Sequence, residues 1–328
     1  MTPRVSIVLP TRNGAAHLDE AIRSVAEQTF RDWELVLVDD ASTDETPRIV
    51  ANWATRDERI RPLRSERNLR LPGALNAGFA AASGEYLTWT SDDNLYLPEA
   101  IARMTAYLDG NPGVDVVYAD YVRIDRQGRV TGSTRVGRPE EIYFGNCIGP
   151  CFLYRREVGR RLGGYQEDLF LAEDMDFWLR ASAAFNLSPL REELYAYREH
   201  GGSLTSRQAP KVIRATERAL KGFFAAHPFP DGDVRARSWL AMAARAIHAG
   251  ERRLADKYFV YAACSSPSRT FRDAGGLFAL RGELDEARRL LMARETELEA
   301  IRGTWSWKVT APLRDLKRIL SRRKAGEP

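Results

Sequence analysis

Trp33-Glu-Leu-Val-Leu-Val38 runs straight into Asp39-Asp40, and Glu85-Tyr-Leu-Thr-Trp-Thr90 leads within two residues to Asp92-Asp93. Each is a short apolar run of strand length that ends in a pair of carboxylates. Val5-Ser-Ile-Val-Leu9 is a third such run, halted by Pro10. Between it and Trp33, the residues Leu18, Ala21, Ile22 and Val25 fall at i, i+3, i+4 and i+7, the stripe of a helix packed on a sheet. After Asp40, Ser42 or Thr43 is placed to cap a helix, with Asp44 and Glu45 in the first turn favoured by its dipole. Ile60 to Leu63 and an Ala-rich helix near Gly73 to Ala82 continue the alternation. The pattern predicts an α/β fold with a Rossmann-like, doubly wound, mostly parallel sheet. Ligands bind such sheets at the carboxyl ends of the strands, the rim to which both acidic pairs are assigned. Adjacent carboxylates repel unless a cation or a hydrogen-bonding ligand compensates them, so two pairs on one rim point to a metal and a polar ligand.

The 328 residues exceed one average domain, which predicts a large domain with an appendage. Hydrophobic residues at 44% and charged residues at 29% exclude disordered and collagen-like chains. Cys147, Cys151 and Cys264 form neither a disulfide framework nor a CxxC zinc pair. No apolar run approaches bilayer length, and the first residues do not read as a secretory signal, so a cytoplasmic protein is expected. The net charge of +4 is unevenly spread. Between Arg302 and Lys324, eight basic residues face one acid, Asp315, so that segment carries +7 and the remainder −3. The basicity belongs to a tail, and no nucleic-acid partner is expected.

Beyond about residue 205 strand-like runs give way to Ala, Arg and Leu. Gly250-Glu-Arg-Arg-Leu-Ala255 is echoed 32 residues later by Gly282-Glu-Leu-Asp-Glu-Ala287. Tetratricopeptide-like hairpins, with a repeat of about 34 residues, and an irregular helical appendage both fit. The expected organisation is a catalytic domain over 1–205, an all-α region over 206–300 and a basic amphipathic tail over 301–328.

Four stretches together resemble family 2 of the glycosyltransferases, inverting enzymes with the GT-A fold. They are Val5-Ser-Ile-Val-Leu-Pro-Thr-Arg-Asn13, Leu37-Val-Asp-Asp-Ala-Ser-Thr-Asp44, Gly84-Glu-Tyr-Leu-Thr-Trp-Thr-Ser-Asp-Asp-Asn94 and Ala172-Glu-Asp-Met-Asp-Phe-Trp178. The Ser-Asp-Asp-Asn form is most similar to the spore-coat polysaccharide-type members. The resemblance covers roughly residues 3–206. It implies that Pro10, Thr11 and Arg12 wrap the nucleotide base and that Asp39 hydrogen-bonds it, with Asp40 as a secondary candidate that anchors the loop. A carboxylate accepting from a ring N–H suits uracil or thymine, which favours a UDP or dTDP donor. The turn Pro10-Thr-Arg-Asn-Gly14 is not the GxGxxG of a dinucleotide site.

By the same resemblance Asp92 contacts the ribose and Asp93 holds Mn²⁺ or Mg²⁺, hard ions that keep waters and bind phosphate oxygens. Thr90 stands where the commoner family form has a further Asp, and Arg70 stands where it has Gly. Arg70 is therefore a candidate contact to the nucleotide sugar, beside the alternative of a plain surface arginine. Asn76, at its family position, is expected to hold backbone. Glu173-Asp174 matches the acidic pair of the family, with Asp174 as catalytic base and Glu173 beside it. His200 stands where relatives carry a His before a mobile loop, with Gly201-Gly202 as its hinge.

The resemblance thus implies a non-processive transfer of a sugar from a nucleoside-diphosphate sugar to a glycan or lipid-linked acceptor, as in bacterial surface polysaccharide synthesis. A nucleotidyltransferase and a catalytically inactive sugar-nucleotide-binding scaffold are the competing classes. In the tail, Trp305, Val309, Leu313, Leu316, Ile319 and Leu320 gather on one side of a helical wheel, with basic residues across from them. Residues 304–324 are expected either to lie on anionic lipid at the inner face of the membrane or to pack on the body.

Overall fold

The computed structural model describes residues 2–199, 208–227 and 230–279. The first unit is built on one nine-stranded sheet, in which β3 (Ile60–Arg64), β2 (Trp33–Asp39), β1 (Val5–Thr11) and β4 (Tyr86–Trp89) lie side by side and parallel. The sheet continues antiparallel through β8 (Phe152–Arg155) to β6 (Val116–Ile124). β9 (Leu187–Arg198) then runs parallel to β6, with β5 (Leu95–Tyr96) at the edge and β7 (Val130–Thr134) paired to β6.

Every residue of β1 and β2 is buried, as expected of strands covered on both faces. The alternation of side chains divides them. Val5, Ile7, Leu9, Leu35 and Leu37 share one core with α1 (Leu18–Ala26) and α4 (Ala100–Gly110). On the other face Val8 and Val38 meet Gly78 of α3 (Arg70–Ala81). Phe152 and Tyr154 of β8 pack there on Phe177 and Trp178 of α6 (Glu173–Ala184). α2 (Thr46–Arg56) and α5 (Arg156–Leu162) complete the helices between strands.

The helix after β2 starts later than the sequence predicts. Glu45 occupies the N-cap of α2 with no side-chain cap bond of its own, and Asp44, one residue earlier, accepts from Thr46 N at 3.0 Å. Ser42 instead accepts from Asn13 N at 3.0 Å, so its hydroxyl fixes the loop after β1 and not the helix.

α7 (Ala209–Ala226) follows β9, and the chain divides into two compact units inside that helix, between Phe223 and Phe224, rather than at residue 205. The second unit is helical where described: α8 (Gly232–His248), α9 (Arg252–Ser265) and α10 (Pro267–Ala279). Asp231 caps α8 by accepting from Val234 N at 3.0 Å. Trp239 anchors this unit, its ring 5.1 Å from Tyr261 and 5.7 Å from Phe224. Gly250, with φ +73°, makes the turn between α8 and α9. Its expected echo at Gly282, and the tail from residue 301, lie outside the described residues.

Candidate active site

The two acidic strand ends are tied together through β1. Thr11 stands in register with Asp39, its carbonyl accepts from Asp40 N at 2.9 Å, and its hydroxyl donates to Asp92 Oδ2 at 2.6 Å. Gly14 presses on this bond, since a Cβ added there would overlap both Asp92 Oδ2 and Thr11 Oγ1. Asp39 is buried; its Oδ1 accepts from Ser42 N at 2.9 Å, and its Oδ2 lies 3.0 Å from Arg64 Nη1 without an aligned hydrogen bond. Asp40 accepts from Leu69 N at 2.7 Å, which fixes the start of α3. Pro10 is buried within β1, and Arg12 lies exposed in the loop after it.

Thr90 takes no part in the acidic pair. It is buried, and its hydroxyl pairs with that of Tyr195 at 2.6 Å. Burial, reinforced by the neighbouring charge of Asp93, pushes the Asp92 carboxyl up to about 6, while the Thr11 hydroxyl opposes the shift. The loop is fixed from behind by Arg198, a side chain the sequence reading did not single out. Its Nε donates to Asp93 O at 2.8 Å, its Nη1 to the carbonyls of Asp125 and Arg126, and its Nη2 to Glu20 Oε2 at 2.7 Å. Asn94 Oδ1 accepts from Arg198 N at 2.8 Å, so guanidinium and main chain grip the same loop. A buried arginine with its donors distributed in this way is rigid, and the loop it holds is preorganised.

The third acidic pair opens α6. Glu173 is buried, accepts from Leu171 N at 2.6 Å, and has its carboxyl pushed up to about 7 by burial and by the charge of Asp174. Leu171 pays for this turn with φ +77°, a left-handed conformation strained for leucine. Asp174 accepts from Asn146 Nδ2 at 2.9 Å and from Met175 N at 2.6 Å. Its pKa is also raised by burial, against the pull of those two donors. Asn76 receives Tyr165 N on its Oδ1 and donates its Nδ2 to Tyr165 O, holding backbone as expected. Tyr165 in turn accepts from Trp89 Nε1 at 2.9 Å and stacks on Phe177 of α6, which links the segment after α5 to the end of β4 and to α6.

Tyr197 senses both halves of the site. Its phenol is pushed up chiefly by burial, and the charges of Asp93 and Asp174 both add to the effect. Asp93 and Asp174 thus both act on Tyr197, and Arg70 stands at the start of α3 with φ +62° and its guanidinium 5.6 Å from the Phe170 ring. His200 and Gly201-Gly202 lie outside the described residues. Among the described residues no group of three or more His, Cys, Asp or Glu side chains gathers to hold a metal. Asp93, and Asp92 beside it, are hard oxygen donors on a fixed loop, and they fit a hard divalent cation whose shell is completed by phosphate oxygens and water.

Residues 6–163 match the model of glycosyl transferase family 2, and the Bacillus subtilis protein EpsE is 32% identical over 214 residues, 62% of this chain and 76% of EpsE. The chain belongs to glycosyl transferase family 2. The Sinorhizobium fredii protein y4gI is 30% identical over 233 residues; the match takes in 67% of this chain but only 25% of y4gI. The Staphylococcus aureus protein TarS 1-349, solved in complex with UDP-GlcNAc, superposes with a TM-score of 0.57 at 19% identity, over 81% of this chain and 91% of that one. That likeness supports the GT-A-type fold. The family match ends within the segment before α6, so the Glu173-Asp174 pair lies past it.

Proposed function

We propose that this chain is an inverting, non-processive glycosyltransferase. It moves a sugar from a nucleoside-diphosphate sugar to a hydroxyl of a glycan or lipid-linked acceptor. The observation that carries this reading is that Thr11 ties the acidic ends of β2 and β4 together, while Glu173-Asp174 opens α6 with each carboxylate held by its own hydrogen bonds. Asp39 Oδ2 is buried and lies 3.0 Å from Arg64 Nη1 with no aligned hydrogen bond among the described residues, so it can still accept a ring N–H, which favours UDP or dTDP. UDP-GlcNAc in the TarS complex agrees with such a donor.

Asp93, with Asp92 adjoining, would hold Mn²⁺ or Mg²⁺, and when bound that cation offsets the charge that grows on the departing diphosphate. Asp174 is the base. Its raised pKa suits it to take a proton from an alcohol, and Asn146 and Met175 N hold its two oxygens in place. As the acceptor hydroxyl gives up that proton its oxygen bonds to the anomeric carbon, the bond to the diphosphate breaks, and the configuration inverts. Glu173 adjoins Asp174, whose charge adds to burial in raising the Glu173 carboxyl, so the pair holds a proton more tightly than an isolated glutamate would.

No described helix is long and apolar enough to cross a membrane. Contact with anionic lipid through residues 304–324, at the inner membrane face, is part of the proposal. Release of nucleoside diphosphate from a panel of sugar nucleotides with Mn²⁺, using the full chain and Asp174→Asn, tests the chemistry. The variant is expected to bind nucleotide and to lose transfer by about 10²-fold or more, the usual loss for a missing general base. Transfer at the wild-type rate would remove Asp174 from its role.

A further inference from the structure

Lys211, Arg214 and Arg218 stand at i, i+3 and i+7 of α7, all exposed, and this spacing places them on one face of the helix. That face borders a pocket of about 240 Å³, also lined by Arg70, Asp168, Phe170 and Leu171. Four cations converge there against one acid. Arg70 is brought in by its left-handed backbone and lies beside the Phe170 ring. Arg218 Nη2 reaches only the main-chain oxygen of Asp168, at 3.5 Å, and so neutralises no charge there. Like charges one helical turn apart repel, and a concave site of one sign draws in the opposite ion.

The size of the pocket narrows its ligand. Sites that enclose a drug-sized molecule have roughly 300–1,000 Å³, so this one fits a compact anionic group and not an entire sugar nucleotide. Guanidinium groups match phosphate and carboxylate alike through paired N–H donors, and four cations around one pocket favour the more highly charged of the two, a phosphate dianion. Location narrows it further. Leu171 lines the pocket and donates its N–H to Glu173, so the pocket abuts the acidic pair that the acceptor hydroxyl must approach.

We infer that this pocket binds a phosphate group carried by the acceptor and thereby brings the acceptor hydroxyl to Asp174. The inference rests on the glycosyltransferase reading and adds to it the class of acceptor, a phosphate ester. The phosphate could otherwise belong to the donor, and the experiment separates the two sources. Glycerol 3-phosphate is titrated calorimetrically into the full chain already saturated with UDP and Mn²⁺, at low and high salt, for wild type and for Lys211→Gln/Arg218→Gln.

Wild type is expected to bind the phosphate ester with UDP in place, more weakly as salt rises. The double variant is expected to bind it about tenfold more weakly or worse, the scale of losing charge-assisted contacts, with UDP affinity unchanged. UDP affinity that falls in parallel would assign the pocket to the donor diphosphate and overturn the inference. Equal binding of glycerol 3-phosphate by both proteins, or by neither, would overturn it as well. A wild-type chain that binds the ester but no nucleoside diphosphate would sink the transferase reading, and the acceptor assignment with it.

Discussion

Glu173→Gln should make the protein more stable at alkaline pH while costing it function. Glu173 is buried against Asp174, and its carboxyl sits at about 7, where an ordinary glutamate has 4.5. A folded-state pKa above the unfolded one means that the native state binds the proton more tightly. Stability is therefore fully present below the unfolded value and is lost as pH rises through the folded one. The gap corresponds to about 3 kcal/mol at 1.36 kcal/mol per pH unit. Glutamine keeps an oxygen that can accept from Leu171 N, has nearly the same volume, and never ionises. Urea unfolding at pH 8 should place the variant above wild type by up to about 3 kcal/mol, and the advantage should be about 2 kcal/mol smaller at pH 5. In the same variant the amide can no longer share a proton with Asp174, whose own pKa stays raised by burial, and transfer should fall. A stability change equal at both pH values, or a loss at pH 8, would show that Glu173 carries its charge in the folded protein without penalty and would refute the reasoning.

Asp93→Ala should abolish the Mn²⁺-dependent part of the thermal shift given by UDP, because few protein ligands anchor the ion; retention there with loss in Asp92→Ala would reverse the two roles. Gly14→Ala should drive a methyl into the Thr11–Asp92 bond at a cost of about 1–3 kcal/mol and weaken UDP binding, seen by calorimetry on a protein that still melts cooperatively; wild-type UDP affinity would deny that bond a part in the site. For the tail, the full chain should sediment with anionic liposomes at low salt and a chain ending at Arg302 should not, since each basic residue near the surface contributes on the order of 1 kcal/mol that salt screens. Equal behaviour of the two chains would remove the membrane contact.

The parallel half of the sheet was legible because its strands are buried on both faces and read as continuous apolar runs. β1, β2 and β4 are recognisable in Val5–Leu9, Trp33–Val38 and Glu85–Thr90 for that reason. β7 and β9 carry no such signal. β9 is half-buried or exposed from Leu187 to Glu193, through Pro189, Arg191 and Glu192, and β7 is largely exposed, so neither stands out from loop on apolar content. The helix starts failed for a different reason. Ser42 and Asp44 are both good caps on composition, and only the position of Asn13, distant in sequence, decides which of them meets the helix.

The site shows the same division between what neighbours in sequence dictate and what packing adds. The acidic pairs were visible because paired carboxylates are costly and therefore informative. Their supports were not, since Arg198 to Asp93, Asn146 to Asp174 and Trp89 to Tyr165 join residues far apart in the chain. The two departures from the common family pattern are the instructive cases. Thr90, in the place of an acid, could not be a ligand in this fold without tearing its hydroxyl from Tyr195 in a buried layer where an orphaned hydroxyl costs about 1–3 kcal/mol. Its substitution therefore moves the burden of charge onto Asp92 and Asp93. Arg70, in the place of a glycine, keeps the left-handed backbone that glycine would adopt without strain, and an arginine held there gives up about 1 kcal/mol or more of conformational preference. A side chain retained against that cost needs a use, and the structure brings it beside Lys211, Arg214 and Arg218, three charges that no local pattern connects to it. An anion bound between them would offset the repulsion along α7 and give the arginine at residue 70 a use that its backbone strain, which stays, would otherwise lack.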